Sequence, residues 1–218
     1  MIDASLLRSR GFLHLATIPA ATREKFIESI ESKKNDGSYS ENIELGLGLL
    51  AEMGLSIEFL VKLHREVFDE PADPQSFYFI VRKVEVGQSR EAFRSHFDSH
   101  RFTIVVPLRV PNVGGELFHL GIRKEPRNSL SNLVGKIFWK LFASRLGYKI
   151  VNLFFKIEKE SFSDYRPLLF LGRSTLHGNF LHHDGPESRI SVLLHFFDPE
   201  KGKGIGELNR RIRRRFTR

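Results

Sequence analysis

The hydrophobic period of this chain changes once, near Pro71 and Pro74, and that change limits the folds open to it. Before it, apolar residues recur at helical spacing. Phe26, Ile27 and Ile30 do so within 21–32, and the pattern repeats over 40–53 and 56–68, the last with Ser56 placed as a cap and Glu58 in its first turn. The stretch 33–40, with Asn35-Asp36-Gly37, reads as a loop. After Gln75 the texture is that of strands. Runs at 77–86, 102–110, 116–122, 149–157, 167–171 and 189–197 are rich in Val, Ile and Phe and bounded by Gly, Pro, Asn or Asp. One interruption, 129–146, places Leu130, Leu133, Val134, Ile137, Phe138, Leu141 and Phe142 at helical spacing and predicts a helix inserted between strands. Short strands behind a helical lead-in point to a mainly β chain with N-terminal helices, a jelly-roll or barrel flanked by helices. The expected layout is one domain over 1–198, with a helical lead-in over 1–74, a β core over 75–198 and a basic tail over 199–218.

Composition narrows the chemistry. The chain has no cysteine, which excludes disulfides, thiolate zinc sites, iron–sulfur clusters and cysteine nucleophiles. Any metal must be held by His, Asp or Glu. Of the net charge of +8, six units belong to 199–218, where eight Lys or Arg face Glu200 and Glu207, so the body is almost neutral. Met-Ile-Asp-Ala-Ser at the start lacks the order of a secretory signal, and no apolar run reaches bilayer length. The expectation is a soluble cytoplasmic protein.

His96-Phe97-Asp98 carries the strongest chemical signal. Residues two apart in extended chain point to the same side, so both side chains reach one metal ion. Two imidazoles and a carboxylate on one face of an octahedral ion leave the other face open, as non-haem iron(II) oxygenases require. A second triplet, His182-His183-Asp184, competes, but it lies in 179–188 beside Asp184-Gly185-Pro186, a predicted loop where side-chain direction is unconstrained. The third ligand is expected from a late strand, and His177 follows the apolar run 167–171. Twelve positions on, Arg189 and Ser191 share one face of a strand, a guanidinium and a hydroxyl suited to a distal carboxylate. His100, His119 and His195 read as strand-edge, pocket or core histidines rather than further ligands.

With these residues in hand, the stretch from about Tyr78 to Asp198 resembles the iron(II)/2-oxoglutarate-dependent dioxygenases. The marks are His96-Phe97-Asp98, Thr103, Gly114-Gly115-Glu116-Leu117, Leu176-His177-Gly178 and Arg189-Ile190-Ser191. The resemblance implies a double-stranded β-helix, with His96, Asp98 and His177 as iron ligands and catalytic centre. It implies 2-oxoglutarate as co-substrate, held by Arg189 and Ser191 with Tyr78 and Thr103 nearby. Oxygen is then the oxidant, and a small organic substrate is hydroxylated with release of succinate and CO2. Asp98 sets the chain apart from the halogenating branch, and Arg189 from the jumonji-type branch. The rival reading is a non-catalytic metal- or ligand-binding barrel whose tail docks on an anionic partner. The insert 129–146 is expected to pack its apolar stripe on the barrel with charges outward, and the tail to attract anionic surfaces weakly.

Overall fold

The structure is a computed structural model that describes residues 2–32, 39–85, 92–93, 95–111, 113–123, 125, 129–140, 142, 144–184 and 188–201. Four helices lead in: α1 (Ala4–Arg10), α2 (Ala20–Ser32), α3 (Ile43–Glu52) and α4 (Ile57–Phe68). Short polar side chains start three of them by accepting otherwise orphaned amide protons. Asp3 accepts from Ser5 and Leu6, Asn42 from Leu45, and Ser56 from Phe59. Two short strands, β1 (Phe12–His14) and β2 (Tyr39–Glu41), lie among these helices.

The long strands β3 (Phe77–Val84) and β4 (Phe102–Arg109) follow, then β5 (Val113–Gly114) and β6 (Leu117–Ile122). Two helices, α5 (Ser129–Lys140) and α6 (Arg145–Phe154), precede β7 (Glu158–Glu160), β8 (Leu168–Leu171), β9 (Thr175–Asn179), β10 (His182–Asp184) and β11 (Arg189–Phe196). The larger sheet has the order β1-β8-β4-β11-β3-β2, and its pairs are all antiparallel. The smaller ones are β7-β6-β9 and β10-β5. Crossovers between non-consecutive antiparallel strands are those of a double-stranded β-helix, or jelly-roll.

Alternation along β11 decides which side chains meet. Ile190, Val192, Leu194 and Phe196 turn to one face, where they join Phe79, Val81, Phe102, Ile104 and Val106 against the lead-in helices through Leu49, Leu50, Leu60 and Leu63. Each such side chain, fully buried, contributes about 1.5–3 kcal/mol of transfer free energy. Arg189, Ser191, Leu193 and His195 occupy the opposite face. Register places them beside Arg82 and Tyr78 of β3 and Thr103 and Val105 of β4, so the polar members share one interior surface. Val105, Leu117, Phe162, Leu168 and Phe170 fill the space between the sheets with Phe12 and Leu193.

The structure corrects the sequence reading at four places, the first being Tyr39–Glu41, expected as the end of a loop and the start of a helix, which is strand β2. Residues 149–157, expected as a strand, are mostly helix α6, so the insert is a pair of helices rather than one. His182–Asp184, expected in a loop, is a short strand paired with β5. The insert does pack on the outside of the smaller sheet, through Val151, Trp139, Phe142 and Tyr148 against Phe118, Leu120 and Leu176, but Val134, Ile137 and Phe138 of its expected buried stripe are exposed. The basic tail lies outside the described residues beyond Lys201. Up to that point the chain is tied to the body, with Arg173 on Glu200 and Lys201 on Asp73.

Candidate metal centre

Two of the three expected ligands are delivered by one rung of backbone pairing. His96 N–H donates to the His177 carbonyl at 2.8 Å, and His177 N–H returns the bond at 3.1 Å. Asp98 is anchored two residues on, its N–H donating to the Gly172 carbonyl at 2.9 Å. One ligand atom from each of His96, Asp98 and His177 lies within 4.8 Å of the others. His96 Nε2 is 3.7 Å from Asp98 Oδ1, and His177 Nε2 is 3.8 Å from Asp98 Oδ2. Among the described residues, this is the only group of three that meets that spacing.

Partners behind the ligands fix their roles. The Thr175 carbonyl lies 2.9 Å from His177 Nδ1, so that nitrogen carries the proton and Nε2 keeps its lone pair for a metal. Thr103 donates its hydroxyl proton to Asp98 Oδ2 at 2.6 Å. The same oxygen, Thr103 Oγ1, is 3.0 Å from His195 Nδ1 and accepts its proton. Burial pushes the Asp98 carboxyl up, but the combined pull of His177, His195 and His96, with the Thr103 hydrogen bond, holds it well below the ordinary carboxylate range. A buried anion facing three imidazoles suits a divalent cation: two neutral nitrogen donors and one oxygen donor, with no thiolate.

The second half of the site lies further along β9. Asn179 shares the face of His177, about 7 Å along the strand, and Arg189 Nη1 donates to Asn179 Oδ1 at 3.3 Å. Arg189 also donates to the Gly115 carbonyl. Gly115 has φ +75°, and a Cβ there would stand 3.1 Å from Pro111 and 3.4 Å from Arg189 Cδ. The Gly114-Gly115 pair therefore seats the arginine. Ser191 Oγ is buried and has no hydrogen-bond partner among the described residues.

Other sequence candidates fall into place around this frame. Thr103 is spent on Asp98, and the half-buried Tyr78 ring lies parallel to His195 at 6.4 Å between centroids. His195, for which a pocket role and a core or rim position were both open, is buried 3.8 Å from Asp98 Oδ2, with the His100 ring stacked on it at 5.0 Å. His119 is buried beside Glu160, its Nε2 3.3 Å from Oε1, and that carboxylate also binds His14 at 2.9 Å. The His182 and Asp184 side chains lie outside the described residues. Sequence reasoning overlooked Arg82, the register partner of Ser191 on the interior face, and Gly172. Period 2 along β3 flags the first, while a pairing across distant segments creates the second.

No protein-family model matches the chain, and no curated protein matches it. Solved structures do. The epimerase SnoN from nogalamycin biosynthesis, described as non-heme and alpha ketoglutarate dependent, was solved with Fe3+, alpha ketoglutarate and nogalamycin RO; it superposes with a TM-score of 0.57 at 14% identity over 90% of this chain and 82% of that chain. A Pseudomonas putida prolyl-4-hydroxylase gives 0.55 at 14% identity over 89% and 91%. The carbocyclase SnoK, also described as non-heme and alpha ketoglutarate dependent, gives 0.52 at 10% identity over 90% and 83%. At such identities the likeness is one of architecture: this chain has the double-stranded β-helix fold seen in those enzymes.

Proposed function

We propose that the chain is a non-haem iron(II)/2-oxoglutarate-dependent oxygenase that hydroxylates a small organic substrate. The observation that carries this is the convergence of His96, Asp98 and His177, with His177 Nδ1–H donating to the Thr175 carbonyl. Those three side chains would hold the iron, and the ion with its co-substrate supplies oxygen activation, with succinate and CO2 as co-products. Arg189 would pair with the far carboxylate of 2-oxoglutarate, its aim set by Gly115 and Asn179, while Ser191 adds a hydroxyl donor. The stretch from His177 to Asn179 matches the reach of a five-carbon diacid, about 7 Å along a strand. Leu193, Val105 and Phe170 line the interior beneath and keep water from it.

The fold likeness supports the reading at the level of cofactor chemistry. Its members include an epimerase and a carbocyclase beside a hydroxylase, so hydroxylation is the narrower part of the proposal. The test is decarboxylation of 2-oxoglutarate by purified protein with iron(II) and oxygen but without substrate. Slow succinate formation that disappears in His96→Ala and persists in His182→Ala is expected. Bound iron with no succinate from the parent chain would leave the non-catalytic barrel as the better account.

A further inference from the structure

Apolar exposure on this molecule is concentrated in one place. Among the described residues, the exposed large hydrophobic side chains are Ile43, Leu47 and eight more, and all eight lie between Val134 and Phe155. Leu153 and Phe154 are 81% and 77% exposed, Leu146 68% and Ile137 60%. Scattered single exposures are ordinary, but a cluster of this kind marks an interaction surface.

The helical geometry of α6 shows how it arises. Gly147 and Val151, four apart, are buried on the sheet side, and Gly147 allows the close approach of the Phe142 backbone. Leu146, Ile150, Leu153 and Phe154 form a neighbouring arc that faces solvent, while Arg145 and Lys149 border it. On α5, Val134, Ile137 and Phe138 make a second outward face. Rings connect the two: Phe138 to Trp139 at 5.5 Å and Trp139 to Phe155 at 6.4 Å between centroids.

Charge identifies the occupant. From 129 to 157 the chain carries Lys136, Lys140, Arg145, Lys149 and Lys156 and not one Asp or Glu. Glu158, just beyond the segment, pairs with Lys156 at 3.0 Å. A second copy of this face would set cations against cations. Anionic lipid headgroups complement it, with the apolar arc entering the acyl boundary and lysines reaching phosphates. Neither helix is long and apolar enough to cross a membrane. We infer that α5 and α6 form an interfacial docking surface that seats the protein on an anionic bilayer, lying on it rather than in it.

The test is flotation of the full chain with vesicles of phosphatidylcholine containing about 30% phosphatidylserine, against phosphatidylcholine alone. Binding to the anionic vesicles is expected, and it should weaken as salt rises from about 0.1 M to about 0.5 M. The double variant Leu153→Glu/Phe154→Glu changes side chains that support nothing in the fold, and should lower binding at least about tenfold. Lys140→Glu/Lys149→Glu should do the same. Trp139, the only tryptophan, should be quenched by brominated lipid in the parent chain. Equal binding by parent and Leu153→Glu/Phe154→Glu, with Trp139 unquenched, would place the attraction elsewhere and overturn the inference. So would a concentration-dependent dimer that this variant abolishes, with no vesicle binding by the parent, since a second copy would then be the occupant.

Discussion

Gly172 lies directly against the Asp98 carboxylate: its carbonyl accepts the Asp98 N–H at 2.9 Å, and a Cβ on it would stand 2.9 Å from Asp98 Oδ2 and 2.7 Å from Thr103 Oγ1. The His100 carbonyl, also 2.9 Å away, blocks any escape towards the backbone. Gly172→Ala must therefore displace the carboxylate or the strand, an overpacking cost of about 1–3 kcal/mol. Iron(II) titration should show affinity reduced at least about tenfold, with the far-ultraviolet spectrum unchanged. Parent-like iron binding would mean that the strand yields and the carboxylate does not.

Arg189→Leu separates the co-substrate from the metal. Removing one partner of a buried charge-assisted pair costs about 2–5 kcal/mol, so the 2-oxoglutarate requirement should rise tenfold or more while iron affinity holds. Ser191→Ala should give a smaller rise of the same kind, about 1 kcal/mol. A Michaelis analysis of both variants checks this, and an unchanged requirement in Arg189→Leu moves the carboxylate site to another cation.

Acid sensitivity has a local source away from the metal. His64 Nδ1 donates to the Glu70 carbonyl at 3.1 Å, and Arg101 Nη1 lies 3.3 Å from Nε2, which leaves the ring no room for a second proton. Burial first, then the Arg101 charge, keeps His64 below its ordinary 6.5. The unfolded chain takes the proton sooner, so this contribution is full above about pH 6.5 and is lost as the pH falls below it. Melting temperature should drop between about pH 7 and pH 5, and more gently in His64→Leu. Parallel slopes for the two proteins would exclude His64 as a source.

Helix α3 meets the sheet through Gly46, where a Cβ would stand 2.1 Å from Phe79 Cδ2. Phe79 is completely buried and cannot swing aside. Denaturant midpoints should place Gly46→Ala about 1–3 kcal/mol below the parent, whereas Gly54→Ala, with open space around it but φ +66°, tests strain alone. Equal stability of parent and Gly46→Ala would show that α3 can lift from the sheet without loss.

The two central strands of the larger sheet were legible because both their faces are buried, whereas β9, which carries His177, was not read as a strand. Phe102–Arg109 and Arg189–Phe196 pack one face on helices and the other on the interior, so their composition stays β-branched and aromatic throughout. The convergence of His96, Asp98 and His177 agrees with what the resemblance implied for these three residues. Residues 149–157 misled for a physical reason. Ile150, Val151, Leu153, Phe154 and Phe155 are apolar almost without interruption because one face of α6 is buried and its neighbouring arc is apolar as well, and such a run is indistinguishable from a strand buried on both sides. His195 shares the face of Arg189 and Ser191 by period 2, whereas Gly172 owes its place to a pairing between distant segments, which no local pattern encodes.

The single rung joining His96 to His177 also orders events in the life of the chain. Its two residues are about eighty positions apart, and His177 is also the register partner of His119 on β6. A nascent chain still short of His177 presents at most His96 and Asp98, two of the three side chains, on unpaired backbone. Contacts this distant form late, after the cost of closing the intervening loop has been met. The convergence of His96, Asp98 and His177 thus belongs to a chain whose ninth strand has already been made and paired.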